Sequence, residues 1–515
     1  MTIYVFSLLV GYEISGVDIA QGSREKFLKK TNYNRKYIFT KIPEEKDILA
    51  YKKAGIDIDN MLCAQLVLAD QYSLLGECKV VDKIKEFQDS YGSIEVKQSD
   101  RYIDVFSNNK RIANIYTREN RENVWSVSYF ESERLISTDY YSDKLLYRDY
   151  YSTVKDGDRV YASKSKTAFF NPGGQKVYEC LYEGDERYYI FNDGRRLNTS
   201  DLMECFVEKL NLTEDDIVLI DRPSNMDYVQ PLFKTNKRAK IMTFLHSGHY
   251  FELNESNGGL FLNFEYYYWF KYSDRIHTFL VSTEEQKKDL EEKLQFYQCH
   301  VPKIKVALTG GLNELKYSER ERKEGSIITV SRLDKRKRID WIILAVIKAH
   351  NSNPSINLDI YGSGLPSYTD YLNDIITKNN AESYIKLKGH CDVTEVYKEY
   401  QMYVSASLGE TLGLSLMEAV ASGNVLIGLD VRYGNRLFIE HGKNGYLVDY
   451  DIYDPTYIER VDEITTNMAD RIVEVMSNKA KLADYQKHSY EIAQSYLNEN
   501  VEKMWLDLFD NTKQL

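Results

Sequence analysis

From roughly residue 66 to residue 200 the chain changes its period, and that change limits the folds open to it. Short runs alternate apolar and polar residues there: Tyr102–Phe106, Arg111–Tyr116, Val124–Tyr129 and Leu145–Tyr150. Turn-forming clusters separate them, among them Ser107-Asn108-Asn109-Lys110, Asp156-Gly157-Asp158, Asn171-Pro172-Gly173-Gly174 and Asn192-Asp193-Gly194. Side chains alternate faces along a strand, so period two at about ten-residue spacing predicts an antiparallel meander. The chain on either side reads as strand, turn, helix in repetition. The block is therefore an insertion into an α/β framework, and its aromatic residues either pack across strands or form a docking face.

On the near side, Ile3–Val10 predicts a buried strand, Gly11 and Ser15-Gly16 a turn, and Val17–Lys30 a helix. The rhythm resumes after Leu202 with strands at Asp216–Asp221, Ile241–Leu245, Thr278–Ser282 and Ile304–Leu308, and a charged helix over Thr283–Leu294. The charged run Glu319–Lys323 marks a boundary. Beyond it lie strands Ile327–Ser331, Ile356–Tyr361, Tyr384–Leu387, Met402–Val404 and Val425–Gly428, helices Ile339–His350 and Leu414–Ala421, and a helical end. The organisation expected is a first doubly wound domain over 1–65 and 201–312, the insertion over 66–200, a second doubly wound domain over 313–487, and a terminal helix over 488–515. A cleft between two such domains suits a nucleotide-linked substrate.

With 515 residues and 43% hydrophobic content, several cores can be filled. A formal net charge of −11 excludes a globally basic nucleic-acid binder. Cys63, Cys78, Cys180, Cys205, Cys299 and Cys391 show no paired metal-ligand spacing. Neither a signal segment nor a run of about eighteen apolar residues is read, so the expected location is cytoplasmic.

Two stretches could carry chemistry. In Ser405–Ala419, Glu410 leaves a strand, Gly413 sits in the turn and Glu418 lies on the following helix. A helix start offers unpaired N–H groups to a diphosphate, and flanking carboxylates accept from sugar hydroxyls. The plainer alternative is an acidic helix start with a solvated glutamate. In Ser331–Asp340, Arg332, Lys335, Arg336, Lys337 and Arg338 lie between a strand end and a helix start. Cations there would stabilise a phosphate leaving group, although a solvated basic turn is the alternative.

In combination these stretches resemble retaining glycosyltransferases of the GT-B fold. The likeness rests on Ser331-Arg332-Leu333 with Lys337 and Asp340, on Tyr361-Gly362-Ser363-Gly364, on Glu410 and Glu418 in the E-x7-E pattern, and on Gly442–Val448. Over nearly the whole chain, it is similar to the bacterial glycosyltransferases that start O-glycosylation of serine-rich repeat adhesins beside the accessory secretion system. Ser15-Gly16-Val17 with Ala20-Gln21, His246-x-x-His249-Tyr250, Leu387–His390, Asp430–Asn435 and the insertion carry that closer likeness.

The resemblance implies a role for each matching position. Catalytic residues would be His246, near the reacting sugar carbon, Arg332 and Lys337, on the donor diphosphate, and Glu410, on the sugar hydroxyls. Donor contacts would come from Gly16 and Val17, His249, His390 and Cys391 near the base, the Thr411–Leu414 backbone (Thr411, Leu412, Gly413, Leu414), and Glu418 on the ribose. Thr411 departs from the usual Gly, with consequences for the sugar pocket, and Asn424 replaces a usual Pro. The family implies a UDP-sugar donor, GlcNAc or glucose, transferred with retention and with no metal or other cofactor. Asp57-Ile58-Asp59 and Asp449-Tyr450-Asp451 read as Asp-rich turns. It also implies a Ser/Thr-rich adhesin as acceptor, a homologous non-catalytic subunit as partner, no nucleic acid, and a location that includes the inner membrane face. Rival readings are a polyol-phosphate (teichoic-acid) glycosyltransferase and a non-catalytic acceptor-binding chaperone.

Overall fold

The computed structural model describes residues 1–7, 16–100, 102–157, 159–222, 226–253, 259–450 and 460–513. They form two compact units: Met1–Thr243 with Arg275–His277, and Phe244–Asp274 with Thr278–Leu515. The cut falls inside the segment 201–312, which the sequence assigns to one doubly wound domain. No helix among the described residues is long and apolar enough to cross a membrane.

In the first unit, parallel strands lie in the order Lys240–Phe244, Ile217–Ile220, Thr2–Ser7, Asn34–Phe39 and Met61–Cys63. Ile3, Val5, Tyr37, Ile38 and Val218 are all fully buried, as expected for strands covered on both faces. The expected first strand is found as far as Ser7; residues 8–15, which include Leu8–Val10, Gly11 and Ser15, lie outside the described set. Helix Gly16–Leu28 follows. Its buried Arg24 pairs with Asp221, which also accepts from Gln21 at 2.9 Å. Taking an arginine and an aspartate out of water together is tolerable only with such mutual neutralisation.

The insertion opens on a helix, Val80–Tyr91, which the period-two reading of 66–200 overlooked. Val80 and Phe87 pack with Ile103, Val105, Ala113, Ile115, Val124 and Val127 into one core. Ten antiparallel strands follow from Glu95 to Leu197, in spatial order identical to their sequence order. Rings stack from strand to strand along one row: Tyr140–Tyr147 at 4.3 Å, Phe169–Tyr178 at 4.5 Å and Tyr178–Phe191 at 4.6 Å. A neighbouring row is small and polar, with Ser128 and Thr138 hydroxyls 2.9 Å apart and Thr167 bonded to Asp149. Cross-strand pairs of both kinds stabilise a sheet by roughly 0.2–1 kcal/mol each.

In the second unit, six parallel strands run in the order Ile385–Gly389, Asn357–Tyr361, Ser326–Val330, Met402–Ser405, Val425–Leu429, Gly445–Val448. Numbered along the chain this is 3-2-1-4-5-6, so the order reverses between Ser326–Val330 and Met402–Ser405. Ligands bind outside the carboxyl ends of strands at such a switch point. Helices Ile339–Ser352 and Val461–Met476 cover the sheet, burying Trp341, Ile342, Met468 and Ile472. The C-terminal helices Lys479–Gln494 and Asn498–Lys513 belong to this unit, where the Trp505 indole donates to the Leu308 carbonyl at 2.9 Å.

Candidate active site

The two loops leaving the switch point are those that carry Lys337 and Glu410. After Val330 the chain is held to its neighbour by Ser331 N–H on the Tyr361 carbonyl (3.1 Å) and Leu333 N–H on that of Ser363 (2.8 Å). Gly362 has φ +141°, and a Cβ there would sit 1.8 Å from the Ser331 oxygen. Gly364 is equally crowded by Leu333. These glycines therefore serve close backbone approach. Asp334 then accepts from Arg336 N–H at 2.9 Å, and its carbonyl from Lys337 N–H at 3.0 Å, closing a tight turn.

That turn sorts the cations. Arg338, in a left-handed conformation at φ 46°, starts helix Ile339–Ser352; its guanidinium donates to Asp340 at 2.7 Å and lies over Trp341. Asp340 also accepts from the Tyr368 hydroxyl (3.2 Å), and burial raises its pKa despite Arg338. This pair is structural. Arg332 instead leaves 70% of its side chain in solvent, 3.7 Å from Asp334. Lys337 turns inward, donating to Glu410 at 2.5 Å and to Ser407 at 3.4 Å.

The partner loop is held as firmly. Leu408 N–H bonds to the Arg336 carbonyl (2.9 Å), tying loop to turn. Glu410 bridges to Tyr433, and Gly434 N–H donates to the Glu410 carbonyl at 2.7 Å. Gly413 has φ +82° and opens helix Leu414–Ala421, whose first N–H groups have no acceptor within the helix. One turn on, Glu418 accepts from the buried Tyr397 hydroxyl at 2.9 Å. The residue is exposed, yet its carboxyl lies against the protein, and desolvation moves its pKa upward. Thr411 is half-buried, Leu412 buried and Leu414 half-buried in the same loop. Asn424 is fully buried, its amide donating to the carbonyls of Tyr397 (3.1 Å) and Tyr400 (2.7 Å).

His246 and His249 sit in the loop after Phe244. His246 is half-buried, its ring stacked on Phe244 at 4.3 Å. His249 is fully buried against Tyr250 and Phe270; burial lowers its pKa to about 4, so it is neutral near pH 7. Gln286 fixes this loop by donating to the carbonyls of Leu245 (3.1 Å) and Ser247 (3.3 Å). His390 and Cys391 are exposed just beyond strand Ile385–Gly389, at the carboxyl end of the same sheet. Gly16 and Val17 begin the first helix of the other unit, and their side chains lie outside the described residues. Asp57 accepts from Asp59 N–H in a 3-10 turn, while Asp451 is outside the described set. The structure thus brings Lys337, Glu410 and Ser407 into contact, with Arg332 in the loop that carries Lys337, and Thr411, Gly413 and Glu418 following Glu410 along its loop and helix. Glu285, Gln286, Asp289 and Tyr397 support this site and were not singled out from the sequence.

A doubly wound sheet whose switch-point loops pair a lysine with a glutamate beside a helix start, joined to a second unit with its own parallel sheet, defines a glycosyltransferase of the GT-B class. Residues 324–475 match the family described as glycosyl transferases group 1, and residues 95–193 match the GtfA extended beta-sheet domain. The GtfA subunit of the UDP-N-acetylglucosamine–peptide N-acetylglucosaminyltransferase of Streptococcus gordonii is 32% identical over all of this chain and 99% of that protein. The chain belongs to this GtfA family. Among solved structures, the pneumococcal O-GlcNAc transferase GtfA in complex with UDP and GlcNAc superposes with a TM-score of 0.82 at 31% identity over 99% of each chain. A GtfA/B complex gives 0.88 at 30% identity, with each chain fully covered. A poly(ribitol-phosphate) alpha-N-acetylglucosaminyltransferase of Staphylococcus aureus is 26% identical over 81% of this chain and 75% of its own.

Proposed function

We propose that this glycosyltransferase moves GlcNAc from UDP-GlcNAc to Ser/Thr hydroxyls of a serine-rich repeat adhesin, as the first step of its O-glycosylation. The observation that carries the reading is the Lys337–Glu410 contact at the switch point, 2.5 Å long and beside the Gly413 helix start. The Lys337 ammonium rests on the Glu410 carboxylate. A diphosphate would draw Lys337 toward its own oxygens, aided by the exposed Arg332 and the Leu414 and Ser415 N–H groups, leaving Glu410 to accept from the sugar hydroxyls. As the sugar–phosphate bond breaks, negative charge grows on the departing UDP, where these cations and dipoles stabilise it most. The acceptor hydroxyl attacks the same sugar face and loses its proton to the departing phosphate, which gives retention. Glu418 would hold the ribose, and His246 the sugar near its reacting carbon. The reading draws on no metal, and it expects a homologous subunit to help hold an unfolded acceptor. The relatives' names and the 32% identity to a peptide transferase favour this acceptor over a polyol phosphate.

The test is to mix the protein, with and without its partner subunit, with UDP-GlcNAc or UDP-glucose and either a Ser/Thr-rich peptide or poly(ribitol phosphate). Mass addition of one GlcNAc to peptide is expected. Addition to the polyol alone would overturn the acceptor, and peptide binding without UDP release would support a chaperone. Glu410→Gln and Lys337→Ala are each expected to lower transfer by at least about 100-fold with circular dichroism and melting unchanged. Near-wild-type turnover in either would remove the site assignment.

A further inference from the structure

The first two turns of helix Glu284–Phe296 hold two separate loops of the second unit at once. Gln286, fully buried, fixes the histidine loop through the Leu245 and Ser247 carbonyls, and accepts from Ser282 N–H at 2.9 Å. Asp289 Oδ2 accepts from the hydroxyls of Tyr250 (3.2 Å) and Tyr433 (3.0 Å), with Arg432 at 3.8 Å. Glu285 accepts from Tyr433 N–H at 2.9 Å and from Arg436 at 2.6 Å. Tyr433 thus carries two bonds to one helix face while standing at φ 72° and ψ −102°, a conformation strained for a non-glycine residue. Such strain persists only where the surroundings over-determine it. On its other side Tyr433 bridges to Glu410, and the next residue's N–H holds the Glu410 carbonyl.

We infer that Asp289, with Glu285, is a positioning residue for transfer: it pins Tyr433 in its strained conformation, and through Tyr433 it fixes the backbone from which Glu410 reaches Lys337. By gripping Tyr250 with the same oxygen it sets the histidine loop and the Glu410 loop to one register. The inference rests on the reading of Glu410 as part of the donor site. It assigns function to residues that make no substrate contact themselves. Displacements of about 1 Å in such a support can cost up to 100-fold in rate while leaving binding nearly intact.

The experiment measures kcat, KM for UDP-GlcNAc, UDP affinity by calorimetry, and the melting midpoint for Asp289→Ala, Asp289→Asn, Tyr433→Phe, the double variant Asp289→Ala/Tyr433→Phe, and Glu410→Gln as reference. Asp289→Ala and Tyr433→Phe are each expected to lower kcat by about tenfold, with UDP affinity held within about threefold. The double variant should be no worse than the poorer single by more than about twofold, because the two residues act through one link. Asp289→Asn keeps an oxygen that accepts from a tyrosine and should recover most of the rate. Wild-type kcat in both singles, losses that multiply in the double, or a kcat loss that follows the melting midpoint would overturn the inference. Wild-type turnover in Glu410→Gln would instead bring down the donor-site reading beneath it; an inactive Glu410→Gln beside fully active Asp289→Ala and Tyr433→Phe would sink the coupling alone.

Discussion

At the scale of single residues, the same side-chain type is put to opposite uses by its surroundings. Of the five cations in Arg332–Arg338, Arg338 is spent on Asp340 and Trp341, Arg332 stays in solvent, and Lys337 alone meets Glu410. His249 has a folded pKa near 4 against an ordinary 6.5, because burial disfavours its charged form. The unfolded chain therefore binds a proton there that the folded chain refuses. Stability from this residue is complete above about pH 6.5 and drains away as pH falls toward 4, by at most about 3 kcal/mol. His249→Leu is expected to flatten the fall in melting midpoint across that window; an unchanged pH slope would mean that the histidine protonates in place. In the sequence His249 and His246 look alike. Nothing in their spacing says that one ring is sealed against Tyr250 and Phe270 while the other is half-open, because the seal is completed only when helix Tyr267–Lys271 folds back over the loop. The placement of Lys337, Glu410 and Glu418 between strand ends and helix starts was legible, since local pattern reveals both.

At the scale of elements, the central strands of the second unit and several strands of the insertion could be read from period alone, whereas strands Asn34–Phe39 and Met61–Cys63 and helices Pro366–Lys378 and Val461–Met476 were not. The second unit's alternation was legible because each strand is a short apolar run closed by glycine or a charged turn, as at Tyr361-Gly362-Ser363-Gly364. Helix Val80–Tyr91 was missed although Val80, Ile84, Phe87 and Tyr91 fall at helical spacing, because the alternating runs that follow dominated the reading. Carboxylates on helix Glu284–Phe296 were not singled out in a helix read only as charged, since a bond to a residue more than a hundred positions away leaves no trace in local pattern. The backbone contact at Gly362 makes a test at this scale. Gly362→Ala would force a Cβ into the Ser331 carbonyl at a positive φ, and should destabilise the second unit by more than about 1 kcal/mol. Calorimetry should show a melting transition lowered by several degrees, together with weaker UDP binding; an unshifted midpoint would mean that the two loops part at little cost.

At the scale of the molecule, the insertion and the framework around it are stabilised differently. The framework is sealed by burial of continuous apolar strands, whereas the insertion adds to its own apolar core rows of rings and hydroxyls that cross from strand to strand. Tyr178 joins two neighbours of its row: it is fully buried, stacked on Phe169 and Phe191, and donates its hydroxyl to the Gln65 carbonyl at 2.5 Å. Tyr178→Ala should cost about 3–5 kcal/mol, in the range of other large aromatic truncations. Hydrogen exchange should then quicken across the strands on both sides of position 178, and protection unchanged there would show that the ring row is incidental.

The strand order of the two sheets also bears on how the chain assembles as it leaves the ribosome. In the ten-stranded sheet each strand pairs with the one just made, so pairing can proceed as fast as translation delivers hairpins. Thr2–Ser7 has a different fate: one of its edges is closed by Asn34–Phe39 within a few dozen residues, and the other waits for Ile217–Ile220. Through the intervening synthesis that edge presents unmatched amide and carbonyl groups, the template on which strangers pair. A nascent chain stalled before residue 217 is thus the species in which a chaperone has most to shield.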